Sequence, residues 1–205
     1  MKNHIPINLV VEDSLSEAVL RAVLQQSNRH YFVGNCYGQG GSGYLKEKIR
    51  GFNKAAQGIP FLVLTDLDKS ECPPVLIEEW LSESKHPNLL FRVAVREVES
   101  WLLAHREALS KFLGIHKESI PQDVDTINDP KQLLINLTRK SRYRILREAI
   151  VPSPGSTAKI GPDYNGKLIS FVKSRWKVPA AMLYSPSLKR TVHAVSNFKP
   201  MWKSR

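Results

Sequence analysis

The sequence predicts an α/β fold, with a mostly parallel sheet, helices on both faces, and a basic, mainly helical C-terminal extension. Two observations carry this. Over the first 113 residues, short apolar or β-branched runs alternate with stretches of helical periodicity, the pattern of strands joined by crossover helices. Beyond Gly114 no further strand run follows and the composition turns strongly basic. The expected division is residues 1–120 for the sheet domain and 121–205 for the extension. A chain of 205 residues buries roughly 70% of its unfolded surface and needs no covalent staples. Cys36 and Cys72 are the only cysteines, too few for a disulfide framework and without metal-ligand spacing.

The elements follow in order. Ile7 to Val11 is a first strand, and Ser14 to Gln26 follows as a helix with Leu15, Val19, Leu20 and Val23 on one face. Tyr31-Phe32-Val33 is a second strand, closed by a glycine-rich loop from Gly38 to Gly43, and Tyr44 to Ala56 reads as a helix. Phe61 to Leu64 is apolar throughout, as in a central strand buried on both faces. Pro73 to Ser82 is a helix, Leu89 to Val95 a fourth strand, and Glu97 to Leu113 a further helix. A linker spans 120–128. Asp129-Pro130 then marks a helix start, with Asp as N-cap and Pro at the first helical position, and Lys131 to Ile150 follows as one Arg-rich helix. Pro152 to Asn165 is turn-forming, and short helices are expected near Leu168–Ser174 and Pro186–Asn197.

In a parallel sheet, chemistry gathers at the carboxyl ends of the strands. Acids stand at three of those ends: Glu12 with Asp13 and then Glu17 after the first, Asp66 and Asp68 after the third, Glu97 and Glu99 after the fourth. Positions i and i+2 of extended chain point the same way, so Asp66 and Asp68 can face one site. Several carboxylates gathered there raise one another's pKa unless a cation neutralises them. Mg²⁺ suits the role, because it takes oxygen ligands and usually binds through one or two carboxylates. The alternative is that the acids are polar loop residues that cap helices.

Val11-Glu12-Asp13-Ser14-Leu15-Ser16-Glu17, Leu64-Thr65-Asp66-Leu67-Asp68 and Arg96-Glu97-Val98-Glu99-Ser100-Trp101-Leu102-Leu103 together resemble the Toprim domain, a Rossmann-like fold of topoisomerases, primases and OLD-type nucleases. The likeness covers roughly residues 5–113 and is nearest to uncharacterised bacterial Toprim-like proteins, to which Asp129-Pro130-Lys131 and Ser185-Pro186-Ser187-Leu188 are also similar. It implies Glu12, Asp66 and Asp68 as ligands of Mg²⁺ or Mn²⁺. Glu17, Glu97 and Glu99 become further catalytic candidates, for a second metal or a general base. Where the family has Gly after the first Glu, this chain has Asp13, either an added ligand or the mark of a degenerate motif. The implied activity is a metal-dependent nuclease, an endonuclease acting on DNA or RNA. Such a protein is expected to work beside a separate ATPase, as an effector of antiviral defence against phage.

The charge distribution points to nucleic acid independently. Residues 131–205 carry 16 Lys and Arg against 2 acids, a net +14, whereas residues 1–130 carry 14 against 17, a net −3. Clustered cations steer polyanions. Five of them, Arg139, Lys140, Arg142, Arg144 and Arg147, fall in nine residues, and Lys189 and Arg190 follow later. All seven are candidate nucleic-acid contacts. In one continuous helix Lys140, Arg144 and Arg147 would share a face. The alternative is a solubilising surface.

Other motifs are weaker. Leu9 to Ser14 also resembles the start of a receiver domain with Asp66 as phosphoacceptor. A receiver then needs Thr or Ser after its fourth strand, where this chain has Arg96-Glu97. A non-catalytic nucleic-acid- or partner-binding subunit with a relic metal site is the other alternative. Gly38-Gln39-Gly40-Gly41-Ser42-Gly43 satisfies G-x-G-x-x-G but in the second βα turn, not the first. No G-x-x-x-x-G-K-[ST] occurs, so no Walker ATPase lies within this sequence. No apolar stretch approaches the ~20 residues that span a bilayer, and the N-terminus has no long apolar core. The expectation is a cytoplasmic protein with no membrane partner.

Overall fold

The computed structural model describes residues 4–38 and 40–202. Four strands, β1 (Ile5–Val11), β2 (Tyr31–Gly38), β3 (Phe61–Asp66) and β4 (Leu89–Ala94), pair in the order β2-β1-β3-β4. Every pairing is parallel. The fold is α/β. The first crossover carries the chain outward from β1 to β2, and the next brings it back past β1 to β3. The carboxyl ends of β1 and β3 therefore flank the point where the strand order reverses, which is where ligands bind in open parallel sheets.

Alternation along each strand divides the core into two layers. Ile7, Leu9, Val11, Leu62, Leu64, Leu90 and Ala94 face one side, with α1 (Ser14–Gln25) and α4 (Glu99–Ala104). Val10, Phe61, Val63, Phe91 and Val93 face the other, against Leu45 and Ile49 of α2 (Gly41–Ala55) and Leu76 and Trp80 of α3 (Pro73–Trp80). The central strands β1 and β3 are buried on both faces, so Phe61–Leu64 of β3 reads as an unbroken apolar run, while β1 carries one buried polar residue, Asn8, whose Oδ1 accepts from Asn35 N at 2.9 Å.

The later helices are α5 (Arg106–Leu113), α6 (Pro130–Arg139), α7 (Arg144–Ile150), α8 (Tyr164–Ser174), α9 (Val178–Ala181) and α10 (Pro186–Ser196), with short 3₁₀ turns at 117–119 and 124–126. They close over the α1/α4 side and join its core through Leu134, Ile150, Leu168, Phe171, Trp176 and Leu188. Trp101 of α4 is their anchor: its Nε1 donates to Ser187 Oγ at 2.8 Å, and its carbonyl accepts from Trp176 Nε1 at 3.0 Å. The Ser185-Pro186-Ser187 start of α10 is likewise fixed from outside, because Asp125 accepts from Ser185 Oγ and from Ser187 N.

Two expected helices are broken. The stretch 97–113 splits at His105, whose Nδ1 accepts from the Lys177 backbone at 3.0 Å. The stretch 131–150 splits at 140–143. There the Ser141 hydroxyl bonds the Leu113 carbonyl and in turn accepts from Tyr143 N at 3.0 Å. A serine hydroxyl that takes up backbone groups in this way competes with helix continuation. Arg139 therefore ends α6, Lys140 and Arg142 lie in the break, and Arg144 and Arg147 ride on α7. The single cationic helix face expected for Lys140, Arg144 and Arg147 does not form. β2 runs on to Gly38, and α2 starts at Gly41 rather than Tyr44. Gly38 is required there: its φ is +118°, and a side chain would collide with the Val11 carbonyl. Gln39, the second position of the G-x-G-x-x-G match, lies outside the described residues.

Candidate metal centre

The acids at the strand ends are tied to one another by the backbone. Glu12 follows β1, and its Oε1 accepts from the Thr65 hydroxyl and from Asp66 N at 2.9 Å, bracing β1 against the end of β3. Burial pushes the Glu12 carboxyl above its ordinary range, the Thr65 and Asp66 bonds offset part of that, and Asp68 and Asp13 add to it. Asp66 ends β3, and its Oδ1 accepts from Val98 N at 2.9 Å, which draws the start of α4 onto the site. Its carboxyl is held well above the usual range by burial first, then by Glu99 and Glu12, against the pull of Lys131.

Asp68 is exposed and sits in the left-handed region at φ +49°, opposite Arg96 at φ +51°. The pairing of β3 with β4 runs on through this pair, with Leu67 N on Ala94 O at 2.9 Å and Asp68 N on Arg96 O at 3.0 Å. Arg96 Nη1 returns to Asp68 O at 3.0 Å. Two non-glycine residues in this conformation carry local strain of about 1–3 kcal/mol each, a feature that clusters at functional sites.

Glu97 and Glu99 meet a residue that the sequence marks only through the Asp129-Pro130-Lys131 motif, with no role at the site. Lys131, in the first turn of α6, donates its backbone N–H to Glu97 Oε2 at 2.8 Å and its ammonium to Glu97 Oε1 at 3.2 Å. The same ammonium lies 3.7 Å from Glu99 Oε1. Glu99 is only 2% exposed, and Tyr164 of α8 donates to its Oε1 at 2.9 Å, while Oε2 has no partner. Burial raises the Glu99 carboxyl to about 7, with Lys131 opposing and Glu97 reinforcing the shift. Burial alone would depress Lys131, but Glu99, Glu97 and Asp66 outweigh it and hold the ammonium above its ordinary value. Asp129-Pro130 marks the turn that holds Lys131, but nothing in the sequence points to Tyr164.

Two nearby acids are engaged elsewhere. Asp13 is the N-cap of α1, accepting from Ser16 N at 2.8 Å. Glu17 pairs with Arg21 at 2.8 Å and neighbours Cys36 on β2, whose thiol is pushed up to about 11 by burial and then by Glu17.

Among the described residues, no three His, Cys, Asp or Glu side chains stand in metal-holding geometry. The donor chemistry nevertheless fits a hard cation. Glu12, Asp66 and Asp68 offer only oxygen, and neither Glu12 Oε2 nor Asp66 Oδ2 takes a hydrogen bond from the described protein groups. Mg²⁺ keeps several waters and asks for one or two carboxylates, not a cage.

No family model, curated protein or solved structure matches this chain. The resemblance to the Toprim domain therefore rests on its short motifs alone.

A groove of about 1160 Å³ opens beside Glu97 and Lys131, between α6, the end of α7 and the loop 151–159. Gln132, Arg139, Arg147 and Lys159 line it. Of the other cations, Arg144 is paired with Glu148 at 2.6 Å, and Arg142 donates to the Tyr143 hydroxyl at 2.7 Å. Arg147 also bonds the Ser141 carbonyl. Lys189 and Arg190 are exposed on α10, and Arg190 depresses the buried-side Arg92 of β4 after burial itself. They form a second patch apart from the groove lining. No helix among the described residues is long and apolar enough to cross a membrane.

Proposed function

We propose that this chain is a Mg²⁺-dependent nuclease, with Glu12, Asp66 and Asp68 as its metal-holding carboxylates and Mn²⁺ as an effective substitute. One observation carries the reading: Glu12 and Asp66, from the ends of β1 and β3, are tied together at the reversal point of the sheet, and Glu97, after β4, lines a groove that also holds Arg139, Arg147 and Lys159. The metal, when bound, supplies an activated water and a counter-charge for the leaving oxygen.

The protein's own groups have separable tasks. Thr65 and the Asp66 N–H orient Glu12, and the Val98 N–H orients Asp66. Lys131 offsets the charge of Glu97 and Glu99, which otherwise repels a phosphodiester. Glu99 is too buried to touch substrate and is a positioning residue. Arg139, Arg147 and Lys159 suit phosphate contacts, which give affinity without sequence choice. A separate ATPase partner and a place in defence against phage belong to this proposal through the resemblance alone.

The purified chain is expected to cleave nucleic acid in Mg²⁺ or Mn²⁺ and not in EDTA, and Asp66→Asn is expected to abolish cleavage, by at least about 100-fold. Cleavage that survives Asp66→Asn overturns the assignment. The absence of a three-acid metal geometry favours a second reading, a nucleic-acid-binding subunit without catalysis. That reading gains if the chain binds nucleic acid and no divalent ion accelerates its breakdown.

A further inference from the structure

The Lys131 ammonium sits against the carboxylates of both Glu97 and Glu99. Its Nζ lies 3.2 Å from Glu97 Oε1 and 3.7 Å from Glu99 Oε1, and its backbone N–H holds the remaining Glu97 oxygen at 2.8 Å. Both oxygens of Glu97 are thus taken by one residue. The position is built in: Asp129 caps α6 by accepting from Gln132 N at 2.7 Å, Pro130 fixes the first helical residue, and Lys131 follows directly. Paired metals in hydrolases sit about 3.5–4 Å apart and need carboxylates free to reach both ions. Glu97 is not free. The neighbouring Glu12, Asp66 and Asp68 form no ion pair with any Lys, Arg or His among the described residues, although the Lys131 charge still acts on Asp66. A second observation shows how far the buried acid depends on that ammonium. Glu99 is 2% exposed, its Oε1 is held by Tyr164, and its Oε2 faces the interior with no donor. Among the described residues Lys131 is the one cation paired with this carboxylate.

We propose that Lys131 serves as the resident second cation, so that the centre takes one divalent ion at Glu12, Asp66 and Asp68 and no other. This rests on the metal-centre reading above and assigns what that reading leaves open, the number of ions and the task of Lys131. The ammonium carries one charge where a metal carries two, and it cannot leave. Lys131 is accordingly a positioning residue for Glu97 and Glu99 and the charge that replaces a metal there.

The test is Mn²⁺ calorimetry on the full-length chain without nucleic acid, so that its result does not depend on cleavage. The native chain is expected to bind one Mn²⁺, Asp66→Asn none, and Glu97→Gln still one with affinity changed less than about threefold. Lys131→Ala opens Glu97 and Glu99 and is expected to bind a second Mn²⁺, whereas Lys131→Arg keeps the charge and remains at one. If Lys131→Ala unfolds in EDTA, its melting temperature in Mn²⁺ is expected to rise by more than that of the native chain, because the ion replaces the lost ammonium. Two ions in the native chain, with one lost in Glu97→Gln, overturn this inference and leave the metal centre standing. No binding by the native chain overturns both. One ion in Lys131→Ala with an unchanged thermal shift reduces Lys131 to an ordinary ion-pair partner.

Discussion

Glu99 concentrates the electrostatic conflict of this fold in one side chain. It is buried against Tyr164, near Asp66 and Glu97, with a single ammonium at 3.7 Å to answer the charge. Its folded carboxyl titrates at about 7, against an ordinary Glu value of 4.5. Between those two values the folded state holds a proton that the unfolded chain has released, so stability falls as pH rises through the window. The full effect is on the order of 3 kcal/mol, and the raised Asp66 acts in the same direction. Lys131 titrates too high to contribute in this range. Glu99→Gln removes the proton uptake and keeps the shape. The variant is expected to match the native chain near pH 5, to exceed it by roughly 2–3 kcal/mol near pH 8, and to show a flatter profile throughout. Urea unfolding in EDTA at several pH values measures this. Parallel profiles for the two proteins would mean that Glu99 is ionised across the whole range.

At the scale of elements, the sequence separates what is local from what is not. The four strands, α1, α3 and the start of α6 are legible, because apolar runs, caps and prolines act within a few residues. Asp129-Pro130 is the clearest case, with the cap bond to Gln132 N at 2.7 Å. Asp129→Ala is expected to cost about 1 kcal/mol of stability and to loosen the turn that presents Lys131, and a urea midpoint unmoved by the change would deny the cap any role. The breaks at His105 and at 140–143 are not legible. Helical periodicity runs through both, and what interrupts them is distant: the Lys177 backbone in one case, the Leu113 carbonyl in the other. The site divides the same way. Glu12, Asp66 and Asp68 stand out because strand ends are visible in the sequence, and Glu97 and Glu99 follow for the same reason. Lys131 and Tyr164 reach the cluster from 34 and 65 residues away, through packing that no spacing announces. Glu17 shows the converse: it is close to Glu12 in sequence, yet its ion-pair partner is Arg21, one turn along its own helix.

Across the whole molecule, the acidic first part and the basic second part share one interior. Leu15, Val19, Trp101, Leu102, Leu109 and Leu113 on one side of residue 120 pack with Leu134, Ile150, Leu168, Phe171, Trp176 and Leu188 on the other, all of them essentially inaccessible. Each large apolar side chain uncovered by removing residues 121–205 forfeits about 1.5–3 kcal/mol of burial. Three or four such losses already equal a typical domain's net stability of about 5–15 kcal/mol. Trp101 would lose its bonds to Ser187 and Trp176 as well, and Glu99 both Lys131 and Tyr164. A fragment of residues 1–120 is therefore expected to show no cooperative thermal transition and no near-ultraviolet signal from Trp101. The exposed loop around Pro154 to Lys159 is the opposite kind of boundary, since it contributes no residue to the core. Limited trypsin treatment is expected to cut first at Lys159 and to leave the two pieces associated, with Mn²⁺ binding retained, because both halves of the core and every acid of the centre stay in place. A fragment of residues 1–120 that melts cooperatively, or a nick at Lys159 that makes the pieces part, would show that the extension is a separate body and that Lys131 and Tyr164 are incidental to the carboxylates.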